Sequence, residues 1–70
     1  MITYERFWTT LYCKDLSTYT LIIKHHISSS TINRLRHNKP ISTETIDKLC
    51  RALDCDVDDI IKYTDSEQEA

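Results

Sequence analysis

The chain of 70 residues has no glycine and one proline. Without glycine there is no Gly-rich loop to cradle a nucleotide phosphate. Helix ends that need a left-handed residue must also take it from another residue type. No apolar run approaches the roughly 18–20 residues of a membrane span. The N-terminus lacks the basic region and apolar block of a secretory signal. Cysteine is sparse and odd in number: Cys13, Cys50 and Cys55 form no C-x-x-C pair. That argues against a disulfide framework and for reduced thiols in a cytoplasmic protein. Cys50 falls at an apolar-periodic position and reads as a small core residue. His25, His26 and His37 with the three cysteines match no zinc spacing, so no metal and no cofactor are expected. Seventy residues leave little room for a ligand pocket of ordinary size, and nothing in the spacing makes Cys13 and a histidine a nucleophile pair. No catalytic residue is expected, and the protein reads as a non-enzyme.

The other absence is local. Between Asp15 and Glu44 there is no acidic residue, while Lys24, Arg34, Arg36 and Lys39 lie there beside three histidines. From Glu44 onward nine acids face Lys48, Arg51 and Lys62. The formal net charge of −2 therefore hides a basic middle and an acidic C-terminal third. A phosphate-backbone binder needs local positive potential, not a positive total.

The apolar residues recur at helical spacing throughout, and no strand pattern is visible. Tyr4, Phe7, Trp8, Leu11 and Tyr12 mark the inward face of a first helix, with Thr3 as its N-cap. Lys14 to Leu16 connects it to a second helix, capped by Ser17 and running to about His25, with Leu21 and Ile22 inward. Ser28 caps a third, which carries Ile32 and Leu35 and ends near His37. Asn38, Lys39 and Pro40 break it. Ser42 caps a fourth helix with Ile46, Leu49, Cys50 and Leu53 on one face, and Asp54 ends it. Asp56 caps a short fifth helix, with Asp59 three residues on and Val57, Ile60 and Ile61 as its apolar face. The stretch 64–70 is acidic, lacks periodicity and reads as a frayed tail. The three helix stops fall at His26, Asn38 and Asp54. These residue types are the ones, besides glycine, that most readily take the left-handed conformation.

The expected architecture is all-α: one domain over residues 1–63, five short helices, and a tight turn between the second and third. That is the helix-turn-helix plan, here spanning about residues 18–37. Leu21, Ile22, Ile27, Ile32 and Leu35 occupy its inward positions. The stretch STYTLIIKHHISSSTINRLRHNKPISTETIDKLCRALDCDVDDII resembles the Cro and phage-lambda-repressor type of domain, the XRE family. It is most similar to a short stand-alone subgroup whose chains begin much like MITYERFW. The resemblance runs from Met1 to about Tyr63 and is most specific in ISSSTINRL and ISTETIDKLCRALDCDVDDII. It implies a compact five-helix, lambda-repressor-like fold, sequence-specific and often dimeric DNA binding, and a bacterial or phage source. The chain departs from the family at His26, where glycine is usual, at Ile22, where a small residue is usual, and at Thr18, where glutamine is frequent.

With Ile32 and Leu35 inward, a turn of about 100° per residue puts Ser30, Asn33, Arg34 and His37 on the opposite side, with Ser29 and Arg36 on the flank. Ser29, Ser30, Asn33 and Arg34 are the candidate base contacts. Asn pairs bidentately with adenine, Arg with guanine, and Ser can donate or accept. Ser17, Thr18, Lys24, Arg36, His37 and Lys39 are the candidate phosphate contacts, aided by the helix N-termini. The expected partner is double-stranded DNA, read by a homodimer that meets through the last helix, Tyr63 or the first helix. The competing reading is a protein-interaction module, antitoxin-like or anti-repressor-like, whose acidic C-terminal third suits a basic protein partner.

Overall fold

The computed structural model describes residues 1–65. In chain order it contains β1 (Ile2–Thr3), α1 (Glu5–Cys13), α2 (Thr18–Lys24), α3 (Ser29–Arg36), α4 (Thr43–Leu53), a 3-10 turn (Val57–Asp59) and β2 (Lys62–Tyr63). Three helices start on the same device. Ser17, Ser28 and Ser42 each accept a hydrogen bond from the backbone N–H three residues on, at 3.1–3.2 Å. The residue donating is a threonine each time, and its hydroxyl lies 3.0–3.1 Å from the serine's. Such caps satisfy amides that the first turn cannot pair internally.

The stops are equally local. His26, Asn38 and Asp54 have φ of 57°, 55° and 52°, as their residue types led one to expect, and Asp15 joins them at 57°. After Asp15, Asn38 and Asp54 the next residue's N–H reaches back five positions: Leu16 to Leu11, Lys39 to Arg34 and Cys55 to Cys50, at 2.8–3.1 Å. That closure pairs the otherwise orphaned carbonyls of a helix end. At His26 the loop is one residue wider, because Ile27 N–H bonds Leu21 O at 3.1 Å.

The structure departs from the expected elements at several points. The fold has four α-helices among the described residues, not five helices. Residues 57–59 make only a single 3-10 turn, with Asp56 and Asp59 forming the expected reciprocal capping box. Thr3 is not the cap of α1; Tyr4 holds that position without a side-chain bond, and Thr3 lies in β1. There is also a small sheet. β1 pairs antiparallel with β2, Ile2 opposite Tyr63 and Thr3 opposite Lys62. The pairing extends to Thr64, whose N–H donates to Met1 O at 2.7 Å. Two residues per strand are too few to show an alternating pattern. Of the expected tail, residues 66–70 lie outside the described residues.

Tyr4, Phe7, Leu11, Leu21, Ile27, Ile32, Leu35, Leu49, Leu53 and Ile60 form the core, with Trp8, Ile22 and Cys50 partly buried around it. Tyr12 and Val57, expected inward, are 86% and 48% exposed. On α1 the buried stripe is narrow, Tyr4–Phe7–Leu11, and Tyr12 lies about 100° past Leu11. The N- and C-terminal segments are fastened to each other through α1. Arg6 Nη1 donates to Asp58 O (3.1 Å), Thr10 Oγ1 to Asp59 O (2.9 Å) and Lys14 Nζ to Asp54 O (3.3 Å). No helix among the described residues is long and apolar enough to cross a membrane.

Candidate nucleic-acid interface

Two buried faces set the position of α3. On α2, Leu21 is fully buried, and its carbonyl accepts from both His25 and Ile27 N–H, each at 3.1 Å. That closes the turn and drives the Ile27 side chain into the core. On α3, Ile32 and Leu35 are buried, so the helix is anchored by one stripe and presents the other. Ser29, Ser30, Asn33 and Arg34 are all exposed on this helix. They lie near its N-terminal and middle turns, and no acid stands between residues 15 and 44.

The candidate phosphate contacts divide. Lys24 and Lys39 have exposed side chains. Ser17 is committed to its cap, yet it is exposed at the start of α2, where backbone amides point outward. Thr18 is half-buried. His37 Nδ1 lies 2.9 Å from the Asn33 carbonyl oxygen. A carbonyl only accepts, so Nδ1 is the donor here, and Nε2 can serve a phosphate only when it carries a proton as well. Arg36 is not free in solvent: its Cζ sits 5.0 Å from the centroid of the Trp8 ring. Trp8 in turn meets Phe7 edge to face, with centroids 4.9 Å apart and planes at 78°.

Sequence reasoning passed over three supporting residues. Asn38 Oδ1 accepts from Tyr4 N–H at 3.2 Å, and the Tyr4 hydroxyl donates to Lys39 O at 2.6 Å. Together they bind the end of α3 to the start of α1. Burial pushes the Tyr4 phenol above its ordinary pKa, which keeps it a donor. Lys48, named above only in the charge count, closes a polar recess of about 130 Å³ with His26, Ser28, Thr31 and Thr45 at the opening of α3. Thr45 and Lys48 are one helical turn apart on α4, which is the only sequence signal that could have paired them.

Elsewhere the surface carries two open apolar grooves. An apolar groove of about 400 Å³ runs between Ile2, Tyr4, Pro40, Ile41, Ile46 and Ile61. A second, of about 430 Å³, shares Ile46 and Ile61 with it and continues to Cys50, Cys55 and Val57. No His, Cys, Asp or Glu group among the described residues could hold a metal ion. Cys50 and Cys55 are free thiols, and burial pushes that of Cys55 up to about 11. Both are poor nucleophiles in that state.

No curated protein matches the chain. It is similar to the transcriptional regulator VanUg in its crystal structure (form II), with 30% identity and a TM-score of 0.79. The likeness covers 87% of this chain and 81% of that one. Residues 6–66 match the model of the Cro/C1-type HTH DNA-binding domain. That match spans most of the chain, which belongs to the Cro/C1-type helix-turn-helix family.

Proposed function

We propose that the protein is a sequence-specific transcriptional regulator, a repressor, that reads the major groove of double-stranded DNA with α3 in the cytoplasm. The observation that carries the reading is the outward face of α3: Ser29, Ser30, Asn33 and Arg34 exposed together on a helix with no acid. Asn33 and Arg34 supply the bidentate chemistry for adenine and guanine, and the serines adapt to either. Ser17, Thr18, Lys24, Arg36, His37 and Lys39 fix the register on the phosphates. Occupying an operator is enough to exclude another protein from it, which is the basis for repression.

Two copies would span a palindromic site. The surface best suited to join them surrounds β1, β2 and the 3-10 turn. There Met1, Ile2, Val57 and Tyr63 are exposed large apolar residues next to the two grooves. Sedimentation of the unaltered chain and of Tyr63→Glu tests this; a monomer in both removes the dimer.

The decisive experiment titrates protein into mixed-sequence duplex at about 50 and 200 mM salt, then into a selected operator, with Arg34→Ala alongside. Steep weakening with salt is expected from phosphate neutralisation. Arg34→Ala should lose about 1–3 kcal/mol on the operator, the worth of one bidentate base contact, and little on mixed sequence. Absence of binding at low salt refutes the reading. It would turn attention to the apolar grooves as a protein-docking surface, on which Arg34 is silent.

A further inference from the structure

We propose that Trp8 is a positioning residue for DNA backbone binding: its indole face holds the Arg36 guanidinium flat, and the pair forms a preset phosphate clamp at the end of α3. The inference rests on the DNA reading and adds to it a residue from α1.

Arg36 lies in the last turn of α3, with its Cζ 5.0 Å from the Trp8 centroid. The platform is itself fixed. Trp8 is half-buried, and its ring packs in a T-shaped arrangement with Phe7, which is fully buried. No carboxylate among the described residues pairs with Arg36; the ion pair there is Arg51–Asp47 on α4. Arg6 of α1 and Lys14 at its C-cap are differently placed, since they donate to the backbone oxygens of Asp58 and Asp54. Among the described residues, then, no carboxylate competes with an external anion for Arg36.

Stacking uses the face of a guanidinium and leaves the N–H donors in its plane. Those donors suit two oxygens of one phosphate. A side chain already held against a ring loses less freedom when the phosphate arrives. A lysine offers a hydrated point charge and does not stack flat, so it should neutralise the phosphate without the preset geometry.

The test measures affinity for mixed-sequence duplex across about 50–200 mM salt, with circular dichroism to confirm folding of each variant. Arg36→Ala should make the log–log salt slope shallower by about 0.9, the value of one phosphate contact on B-DNA. Arg36→Lys should keep the slope yet bind about two- to fivefold more weakly, the size of an exposed cation–π contact. Trp8→Leu should do the same, with Trp8→Phe, a weaker but shape-preserving platform, losing less. In an Arg36→Ala background the Trp8 changes should cost nothing more. Trp8 is the only tryptophan, so its emission reports the clamp directly and should shift on DNA addition in the unaltered chain but not in Arg36→Ala.

A slope unchanged by Arg36→Ala overturns the clamp while leaving the DNA reading intact. So does a Trp8 effect that persists undiminished without Arg36, because Trp8 then acts through packing alone. Failure of the unaltered chain to bind any duplex overturns the DNA reading and the clamp together.

Discussion

Replacing His26 by glycine should stabilise the fold, and replacing Asn38 by glycine should weaken it, although both residues have nearly the same backbone conformation. His26 has φ of 57° and Asn38 of 55°. For an ordinary L-residue the left-handed region costs roughly 1–2 kcal/mol. Glycine removes that cost but gives back about 0.5–1 kcal/mol through the greater freedom of its unfolded chain. His26 makes no hydrogen bond among the described residues, so no hydrogen bond is lost there. The net expectation is a gain of about 0.5–1 kcal/mol, or about 4–8 °C in Tm per kcal/mol for a domain this small. Asn38 differs in its side chain. Its Oδ1 takes the Tyr4 N–H at 3.2 Å, at the point where α1 starts without a side-chain cap. Deleting that acceptor strands a partly buried amide at a cost of about 1–3 kcal/mol, which outweighs the backbone relief. Urea and thermal unfolding of both variants, with His26→Ala as a control that keeps the Cβ, would measure the difference. The reasoning is refuted if Asn38→Gly gains as much as His26→Gly, or if His26→Gly and His26→Ala are equal.

Four further outcomes follow from single side chains. Thr3 Oγ1 is buried with no hydrogen-bond partner among the described residues, so Thr3→Val should hold or raise stability by up to about 1 kcal/mol in urea unfolding. Ser42→Ala removes the cap of α4 and should cost about 1 kcal/mol; equal stability would mean that water replaces the serine fully. Burial lifts the Cys50 thiol and raises that of Cys55 from 9.0 to about 11. Alkylation at pH 8 should therefore label exposed Cys13 first and reach the other two only as pH climbs. The unfolded chain releases these two protons at lower pH than the folded one, so stability should fall as pH rises from about 9 toward 11.

What could be read in the sequence was what is local in the chain. The serine caps at 17, 28 and 42 and the stops at 26, 38 and 54 each depend on a few neighbouring residues, and residue type alone pointed to them. Asp15 shows the limit: the same left-handed closure lies in a stretch read simply as a connection. The β1–β2 pairing joins residues about sixty positions apart through two residues each, and no periodicity encodes it. The outward face of α3 followed from Ile32 and Leu35 because helical geometry converts two inward positions into the opposite four. The partner of Arg36 did not follow, since Trp8 had been assigned by its spacing to a buried stripe that it only borders. The repeated Ser-x-x-Thr at three helix starts was visible as letters, but only the structure shows its double use as backbone cap and hydroxyl pair.

The net negative charge is compatible with DNA binding because the order of charge along the chain becomes an order in space. The acids of residues 54–59 sit at the end of α4 and in the 3-10 turn, which packs on α1 and α4. Arg6, Thr10 and Lys14 of α1 are drawn to backbone oxygens of that same segment. α3 receives none of this: Arg34 and Arg36 have no carboxylate partner among the described residues, and Arg36 Cζ lies 5.0 Å from the centroid of the Trp8 ring. Screening at physiological salt acts over roughly 8 Å, so a phosphate in contact with α3 responds to the cations beside it far more than to the total. The Trp8 contact strengthens that separation. On the clamp proposed above, Trp8 would hold Arg36 by an attraction that needs no anion and leave the cation for a phosphate.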